Sequence, residues 1–194
     1  MRELRTAAIA VVVFTLALGL AYPLFMTGVS QVVFPDRADG SMIERDGKVV
    51  GSKLIGQDVS KDDSYFQSRP SATDYAPAAT FFNNQGPSQD ELAEQLKGYV
   101  RAYLKRERPY TPGLTAADIP SDAVTTSASG VDPHISEDNA RIQANRVAEV
   151  RGIDKARVLE LIDDNASRPL LGLAGDKSIN VLELNLDLDR EAAR

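Results

Sequence analysis

A chain of 194 residues, with 26% charged and 43% hydrophobic side chains, is long enough for one domain with a substantial core and leaves little room for a second. The formal net charge of −6 argues against a nucleic-acid partner, because binding a phosphate backbone requires a clustered basic surface. The absence of cysteine excludes disulfides and thiolate metal sites, and a single histidine argues against a transition-metal centre.

The first predicted element is a membrane-spanning helix. Residues 7–29 contain no charged side chain, and about 20 apolar residues in a helix are enough to cross the hydrocarbon core of a bilayer. A cleaved signal peptide is the alternative, because residues 19–21 include the small side chains of a cleavage site. The apolar core of a signal peptide is usually only about 7 to 15 residues long, so a permanent anchor is favoured. Near the outer end, Tyr22 suits the headgroup region and Pro23 is expected to kink or end the helix.

The charges that flank this helix predict its orientation. Arg2 and Arg5 precede the apolar run, whereas the first charged residue after it is Asp36. The positive-inside rule therefore places the N-terminus in the cytoplasm and the remainder outside. The predicted organisation is a short cytoplasmic N-terminus and transmembrane helix in residues 1–30, followed by one extracytoplasmic domain in residues 31–194.

The extracytoplasmic part begins with a predicted hairpin and a loop. Residues 40–57 contain two short runs rich in aliphatic side chains, joined at Asp46-Gly47, a pair that favours a tight hairpin turn. Residues 64–87 are dense in Tyr, Phe, Pro, Ser and Asn, and several X-Pro pairs disfavour helix there. The aromatic side chains indicate an ordered loop, since disordered tracts normally lack them.

A long amphipathic helix is predicted after this loop. Ser88 and Glu91 form the capping-box pattern, and the apolar face that follows comprises Leu92, Leu96, Tyr99, Val100, Tyr103 and Leu104. Basic side chains at the end of the helix complement the negative end of the helix dipole and are interpreted as structural: Lys105, Arg106 and Arg108. A proline-rich connection with Pro109, Pro112 and Pro120 comes next.

Two further helices and a strand complete the predicted elements. Ser136 caps a second helix that ends before Gly152, and Asp154 caps a third. In residues 178–188 leucines alternate with polar side chains, which predicts a half-buried strand. The predicted fold class is therefore mixed α+β, with one N-terminal transmembrane helix.

Catalytic motifs are absent or weak. The sequence has no GxxxxGK[ST] loop and no GxGxxG at a helix start, so it does not predict an ATPase by itself. Ser129, Asp132 and His134 lie close together, but the members of a Ser-His-Asp triad are usually far apart in sequence. The same segment more readily forms a turn that positions the next helix. We predict no catalytic site.

Short motifs along nearly the whole chain follow the order and spacing of one known family. In the first half they are Tyr22-Pro23-Leu24, Phe34-Pro35, Gly40-Ser41, the run Gly51 to Gln57, Tyr65-Phe66, and Arg69-Pro70-Ser71-Ala72 with Tyr75. In the second half they are Ser129-Gly130, Asp132-Pro133-His134-Ile135-Ser136, Gln143, Arg146-Val147-Ala148, Arg151-Gly152, and Asn180-Val181-Leu182 with Leu184-Asn185-Leu186. This string resembles the KdpC family, the C subunit of the Kdp-type high-affinity potassium-transporting P-type ATPase.

The resemblance implies an accessory subunit in a cell (inner) membrane complex that imports potassium at the expense of ATP. Its partners would be a channel-like potassium-binding subunit, a P-type ATP-hydrolysing subunit and a small peptide subunit. The family is described as a catalytic chaperone that promotes ATP use by the hydrolysing subunit. The resemblance therefore implies no cofactor of its own, ATP that is shared with that subunit, and a nucleotide-related role for Gln143.

The predicted topology bears on that role. A hydrocarbon core about 30 Å thick would separate an extracytoplasmic domain from a cytoplasmic nucleotide site. We therefore expect assembly and allosteric support from the outer face, where an acidic domain would also enrich cations near the potassium entrance.

The sequence departs from the family pattern at one place. Where the family usually carries a Ser-Gly-Gly-Ser-Asn stretch, residues 79–84 read ATFFNN, so Phe81 and Phe82 replace a glycine-rich loop.

Two other functions remain open. The alternatives are a membrane-anchored extracytoplasmic ligand-binding module and an anchored hydrolase. A hydrolase would depend on Ser129 and His134, whereas a binding module would be stabilised by its ligand.

Overall fold

The computed structural model describes residues 1–45, 47–78, 84–167 and 177–192. The chain divides into two compact units, Met1–Ser52 and Lys53–Arg194. The boundary near residue 30 between membrane and extracytoplasmic parts stays a prediction. Phe81 and Phe82, at which the sequence departs from the family pattern, lie outside the described residues.

The first unit begins with one long helix. Its parts are α1 (Arg2–Phe14), a π-helical segment (Thr15–Ala21) and α2 (Tyr22–Val33). Together they form a 32-residue helix, Arg2–Val33, long and apolar enough to cross a membrane. None of its described side chains is buried. A helix that is apolar all round needs apolar surroundings, which makes this helix a candidate membrane span.

The helix continues through Pro23, so an end at this proline is wrong. Proline lacks the N–H for the usual bond, and its ring clashes with the carbonyl four residues earlier. The segment immediately before it is wound more widely: the Tyr22 N–H donates to the Ala17 oxygen, five residues back. This π-type turn provides room where the proline would otherwise break the helix.

The predicted hairpin is confirmed, with shorter strands than the sequence indicated. After a short helix, α3 (Pro35–Ala38), strand β1 (Met42–Arg45) pairs antiparallel with β2 (Lys48–Ser52). The register shifts between Ile43 and Glu44, which marks a β-bulge. Gly47 has a φ of +74°, as the turn requires. Asp46 lies outside the described residues.

In its described residues the second unit combines four α-helices and two short 3-10 helices with a small sheet. The helices are α4 (Asp90–Glu107), α5 (Glu137–Arg151), α6 (Lys155–Asn165) and α7 (Val181–Ala192). Strand β3 (His134–Ser136) pairs antiparallel with β4 (Ser178–Asn180), so that Ile135 faces Ile179. The main core packs aliphatic side chains of α5, α6 and α7 around these strands and Phe66: Ile135, Ala144, Val147, Val158, Ile162, Ile179, Leu184 and Leu188. The α+β fold class agrees with this arrangement.

Two of the predicted helix starts are confirmed and one is wrong. Ser136 Oγ accepts the Asn139 N–H and Asp154 Oδ1 accepts the Ala156 N–H, as capping predicts. The capping box at Ser88 does not form, and α4 begins at Asp90 with Gln89 as its N-cap. The Gln89 side chain accepts the N–H of Gly86 instead, which tightens the turn before the helix.

The predicted C-terminal strand over residues 178–188 is also wrong beyond its third residue. Helix α7 follows β4 directly, and Asn180 Oδ1 accepts the Glu183 N–H at 3.2 Å. An N-cap asparagine with glutamate three residues later is a helix-start signal that overrides the leucine alternation. In the helix, Leu184 and Leu188 share the buried face, whereas Leu186 is only partly buried.

This helical phase predicts unequal costs for two neighbouring leucines. Leu184→Ala should lower the free energy of unfolding by about 2–5 kcal/mol, because it leaves a cavity in the core. Leu186→Ala, the matched control, should cost less than half as much. Chemical unfolding of the full chain in detergent, followed by circular dichroism, measures both. Equal costs would support the strand and contradict the helix.

Candidate functional site

The candidate site is a buried polar network in the second unit, built around a stretch of loop. Phe66 and Gln67 lie in this loop and are 0% and 3% exposed. Backbone groups removed from water must find hydrogen-bond partners or cost free energy. Helices α5 and α7 supply those partners through Gln143 and Asn185. Further buried side chains bond to these two or to the loop, and the whole set defines the buried polar network: Gln67, Glu107, Asn139, Gln143, Arg146 and Asn185.

The side-chain amide of Gln143 binds both the N–H and the C=O of Gln67. Its Oε1 accepts the Gln67 N–H at 2.7 Å, and its Nε2 donates to the Gln67 carbonyl oxygen at 3.1 Å. The remaining positions are also occupied, because Oε1 accepts from Arg146 at 3.0 Å and Nε2 donates to Asn139 at 2.9 Å. All four hydrogen-bonding positions of this amide are therefore used within the protein.

Asn185 on α7 repeats this arrangement one residue earlier in the loop. Its Oδ1 accepts the Phe66 N–H at 2.8 Å, and its Nδ2 donates to the Phe66 oxygen at 3.0 Å. The Gln67 side chain then donates to the oxygens of Val59, Asp62 and Tyr65, which closes the loop on itself. Two amides from different helices thus hold the backbone of two consecutive residues.

A fully buried ion pair supports the same loop. The Arg146 guanidinium and the Glu107 carboxylate are both 0% exposed, with Nε at 3.0 Å from Oε1. Arg146 also donates to the backbone oxygens of Asp63 and Tyr65. Arg106 approaches the same carboxylate at 2.9 Å. Buried charges are tolerated only when they are paired and hydrogen-bonded, as they are here.

A third contact fixes the outer edge of the loop. The Arg151 guanidinium lies 4.5 Å above the Tyr65 ring and donates to the Ser64 oxygen and to Asp189. The Tyr65 hydroxyl donates to the same Asp189 carboxylate at 3.1 Å. Arg151, at the end of α5, therefore connects the loop to α7.

The Ser129, Asp132 and His134 segment does not form a catalytic triad. Ser129 Oγ accepts the Val131 N–H, and among the described residues it makes no hydrogen bond to His134. The Asp132 carboxylate is 3.4 Å from His134 Nδ1 and 2.9 Å from Arg69. The hydrogen bond with the His134 side chain, with further contributions from its backbone N–H and from Arg69, lowers the pKa of Asp132 to about 2. Asp132 is thus a structural anion that joins the loop to the start of β3.

A cleft of about 370 Å³ lies beside this cluster. Its lining combines the first half of α4 with the segment that precedes β3, and it is mostly uncharged and polar: Ala72, Asn84, Gln85, Leu92, Gln95, Leu96, Tyr99, Thr125, Thr126, Ser127 and Ala128. In the part of the chain that the structure describes, no group of three or more His, Cys, Asp or Glu side chains could hold a metal ion.

The structure places Gln143, the one site residue that was predicted, at the centre of the buried network. It is 1% exposed, and its nucleotide-related role stays a prediction. Sequence reasoning missed Glu107, Asn139 and Gln67. A signal existed for Glu107, because it follows Tyr103 by four residues and so continues the buried face of α4. The other two are short polar side chains whose burial depends on distant segments.

These features define a class of protein: a candidate membrane span, followed by an α+β unit in which a buried polar network holds a loop. The sequence matches the family described as "K+-transporting ATPase, c chain" over residues 4–190, so the chain belongs to the KdpC family. A protein of Bradyrhizobium diazoefficiens named "Potassium-transporting ATPase KdpC subunit" is 46% identical over the full length of both chains. Proteins of the same name from Cereibacter sphaeroides (45%, all of both chains) and Caulobacter vibrioides (48%, 96% of this chain and 92% of that one) are also similar.

The buried ion pair predicts a large difference between two glutamates of α4. Glu107→Gln should destabilise the protein by about 3–5 kcal/mol, because it leaves the Arg146 charge buried without its counter-charge. Glu94→Gln, which removes an exposed partner of Lys97, should leave the denaturant concentration at the unfolding midpoint unchanged. Denaturant titration of the full chain in detergent measures both. A small effect at Glu107 would mean that water reaches Arg146.

Proposed function

We propose that this chain is the accessory C subunit of a K+-transporting ATPase complex and has no catalytic site of its own. The observation that carries the proposal is the family match over residues 4–190, together with full-length relatives that are named as this subunit. The buried polar network supports a non-catalytic role. Its side chains bind one another and the loop backbone inside the protein, as expected of a rigid docking unit.

The proposed partners are a channel-like potassium-binding subunit, a P-type ATP-hydrolysing subunit and a small peptide subunit. The helix Arg2–Val33 would cross the cell membrane once, with Arg2 and Arg5 on the cytoplasmic side. Small side chains at Gly19 and Gly28 leave room for close packing against a partner helix, because little or nothing of this chain lies where a side chain would project.

The chaperone role is proposed to act through the fold. An extracytoplasmic second unit would be separated from a cytoplasmic nucleotide by a hydrocarbon core about 30 Å thick. Gln143 would then influence ATP use indirectly. It would hold the loop at Gln67 and thereby fix the surface that the second unit presents to a partner subunit. The acidic chain would also raise the local concentration of potassium at the entrance of the transport path.

The first test compares the complex with and without this chain. A tagged complex purified in mild detergent should contain a P-type ATPase subunit, and its potassium-stimulated ATPase activity should fall severalfold when this chain is omitted. Re-addition of the chain should restore the activity. A chain that purifies alone, with ATPase activity unchanged by its omission, contradicts the proposal and directs attention to ligands of the polar cleft.

The second test addresses topology and uses the absence of native cysteine. Leu4→Cys and Lys61→Cys place single thiols at exposed positions, the first at the N-terminal end of the candidate span and the second beyond its C-terminal end. A membrane-impermeant maleimide applied to intact cells should label the cysteine at position 61 and spare that at position 4, because only the former lies outside. Both should react after the membrane is disrupted. The reverse pattern would place the second unit in the cytoplasm.

A further inference from the structure

One face of α4 carries an uncommon concentration of positive charge. Four basic residues recur at intervals of four, four and three, and they define the basic stripe: Lys97, Arg101, Lys105 and Arg108. At about 100° per residue they fall within an arc of about 80°, and at about 1.5 Å per residue the stripe is about 16 Å long. The chain as a whole has 28 acidic and 22 basic residues, so this face has the opposite sign to the average surface.

The basic stripe faces solvent and contributes little to the fold. All four residues are exposed, whereas the core-facing side of α4 buries Tyr103 and Glu107. Within the described residues, Arg101 and Lys105 have no ion-pair partner. Lys97 pairs only with Glu94 at 2.7 Å, and Arg108 donates to the Leu114 oxygen at 3.0 Å. The positive charge of the stripe is therefore largely uncompensated.

The helix dipole explains only half of this pattern. Cations stabilise a helix within its last turn, and the effect falls off beyond it. Lys105 and Arg108 satisfy that condition, since α4 ends at Glu107. Arg101 and Lys97 lie about two and three turns before Arg108. A carboxylate on this face responds to the same charges, because the hydrogen bond and charge of Lys97, and then the charge of Arg101, lower the pKa of Glu94.

We propose that the basic stripe contacts the headgroups of anionic phospholipids at the surface of the membrane that anchors the chain. Lys and Arg side chains that cluster near a membrane surface bind anionic lipid headgroups. Each adds to the electrostatic attraction, and no shaped pocket is needed. The candidate span keeps the rest of the chain at high effective concentration near headgroups. An acidic protein partner is less well matched, because protein interfaces rely on aromatic or aliphatic anchors and the members of the stripe are all charged.

The contact is superficial and electrostatic. The stripe contains no Trp, Phe or Leu that would insert below the headgroups, so binding should depend on lipid charge and weaken with salt. It would hold the second unit against the bilayer in membranes rich in anionic lipid. The proposal requires the candidate span but does not depend on a potassium-transporting partner.

The test uses the full chain in nanodiscs, with one added cysteine. Ala102→Cys places a fluorophore at an exposed position beside the stripe and next to Arg101 in sequence, and Val150→Cys on α5 serves as the reference. Quenching by a headgroup-labelled lipid is compared in nanodiscs of phosphatidylcholine alone and with about 30% phosphatidylglycerol. Quenching at position 102 should rise with the anionic lipid and fall at about 0.5 M salt, where the Debye length is only a few Å. Position 150 should respond to neither.

Matched variants separate the stripe from general charge. Arg101→Gln with Lys105→Gln should reduce the ratio of contacting to free states about 25-fold, at about fivefold per charge. Lys61→Gln with Lys155→Gln changes the net charge equally at exposed positions off the stripe and should have little effect. Circular dichroism confirms folding. Quenching that does not depend on lipid charge would overturn the proposal, and so would equal effects of the two double variants. If position 102 is protected from quenching only in the purified complex, the stripe binds an acidic protein partner instead.

Discussion

The second unit depends on the need to satisfy two buried peptide groups. The backbone of Phe66 and Gln67 is buried and pairs with no strand among the described residues, so side chains satisfy its N–H and C=O groups. Asn185 and Gln143 supply donor and acceptor in the geometry of a strand partner. Because the two amides come from α7 and α5, the loop also determines how those helices are spaced.

The ion pair of Glu107 and Arg146 extends this constraint to α4. Arg146 uses its remaining donors on the backbone of the same loop, so its charge is compensated by a carboxylate and its N–H groups by carbonyls. A hydrophobic pair could fill the volume but could not satisfy the loop. The network also accounts for the burial of the family-motif residues Gln143, Arg146 and Asn185, because their polar groups bind one another, Glu107 and the loop.

The surfaces of the second unit, more than a pocket, connect this fold to its proposed function. A rigid unit held by internal polar bonds can present fixed faces to other subunits and, on the opposite side of α4 from Tyr103 and Glu107, a basic face to lipid. Under the proposed topology, influence on a distant nucleotide site would require coupling between conformations across the membrane. Direct contact with the nucleotide from the outer face would be excluded by distance.

The sequence by itself determined the apolar N-terminal helix, the hairpin, the caps at Ser136 and Asp154 and the family, because these depend on local composition, short-range bonds and motif order. It failed at residues 181–188, where leucine alternation outweighed the cap at Asn180. Only the tertiary structure decided that Gln143 and Asn185 bind a loop 76 and 119 residues away and that Glu107 meets Arg146, since pairing between distant polar groups leaves no local period.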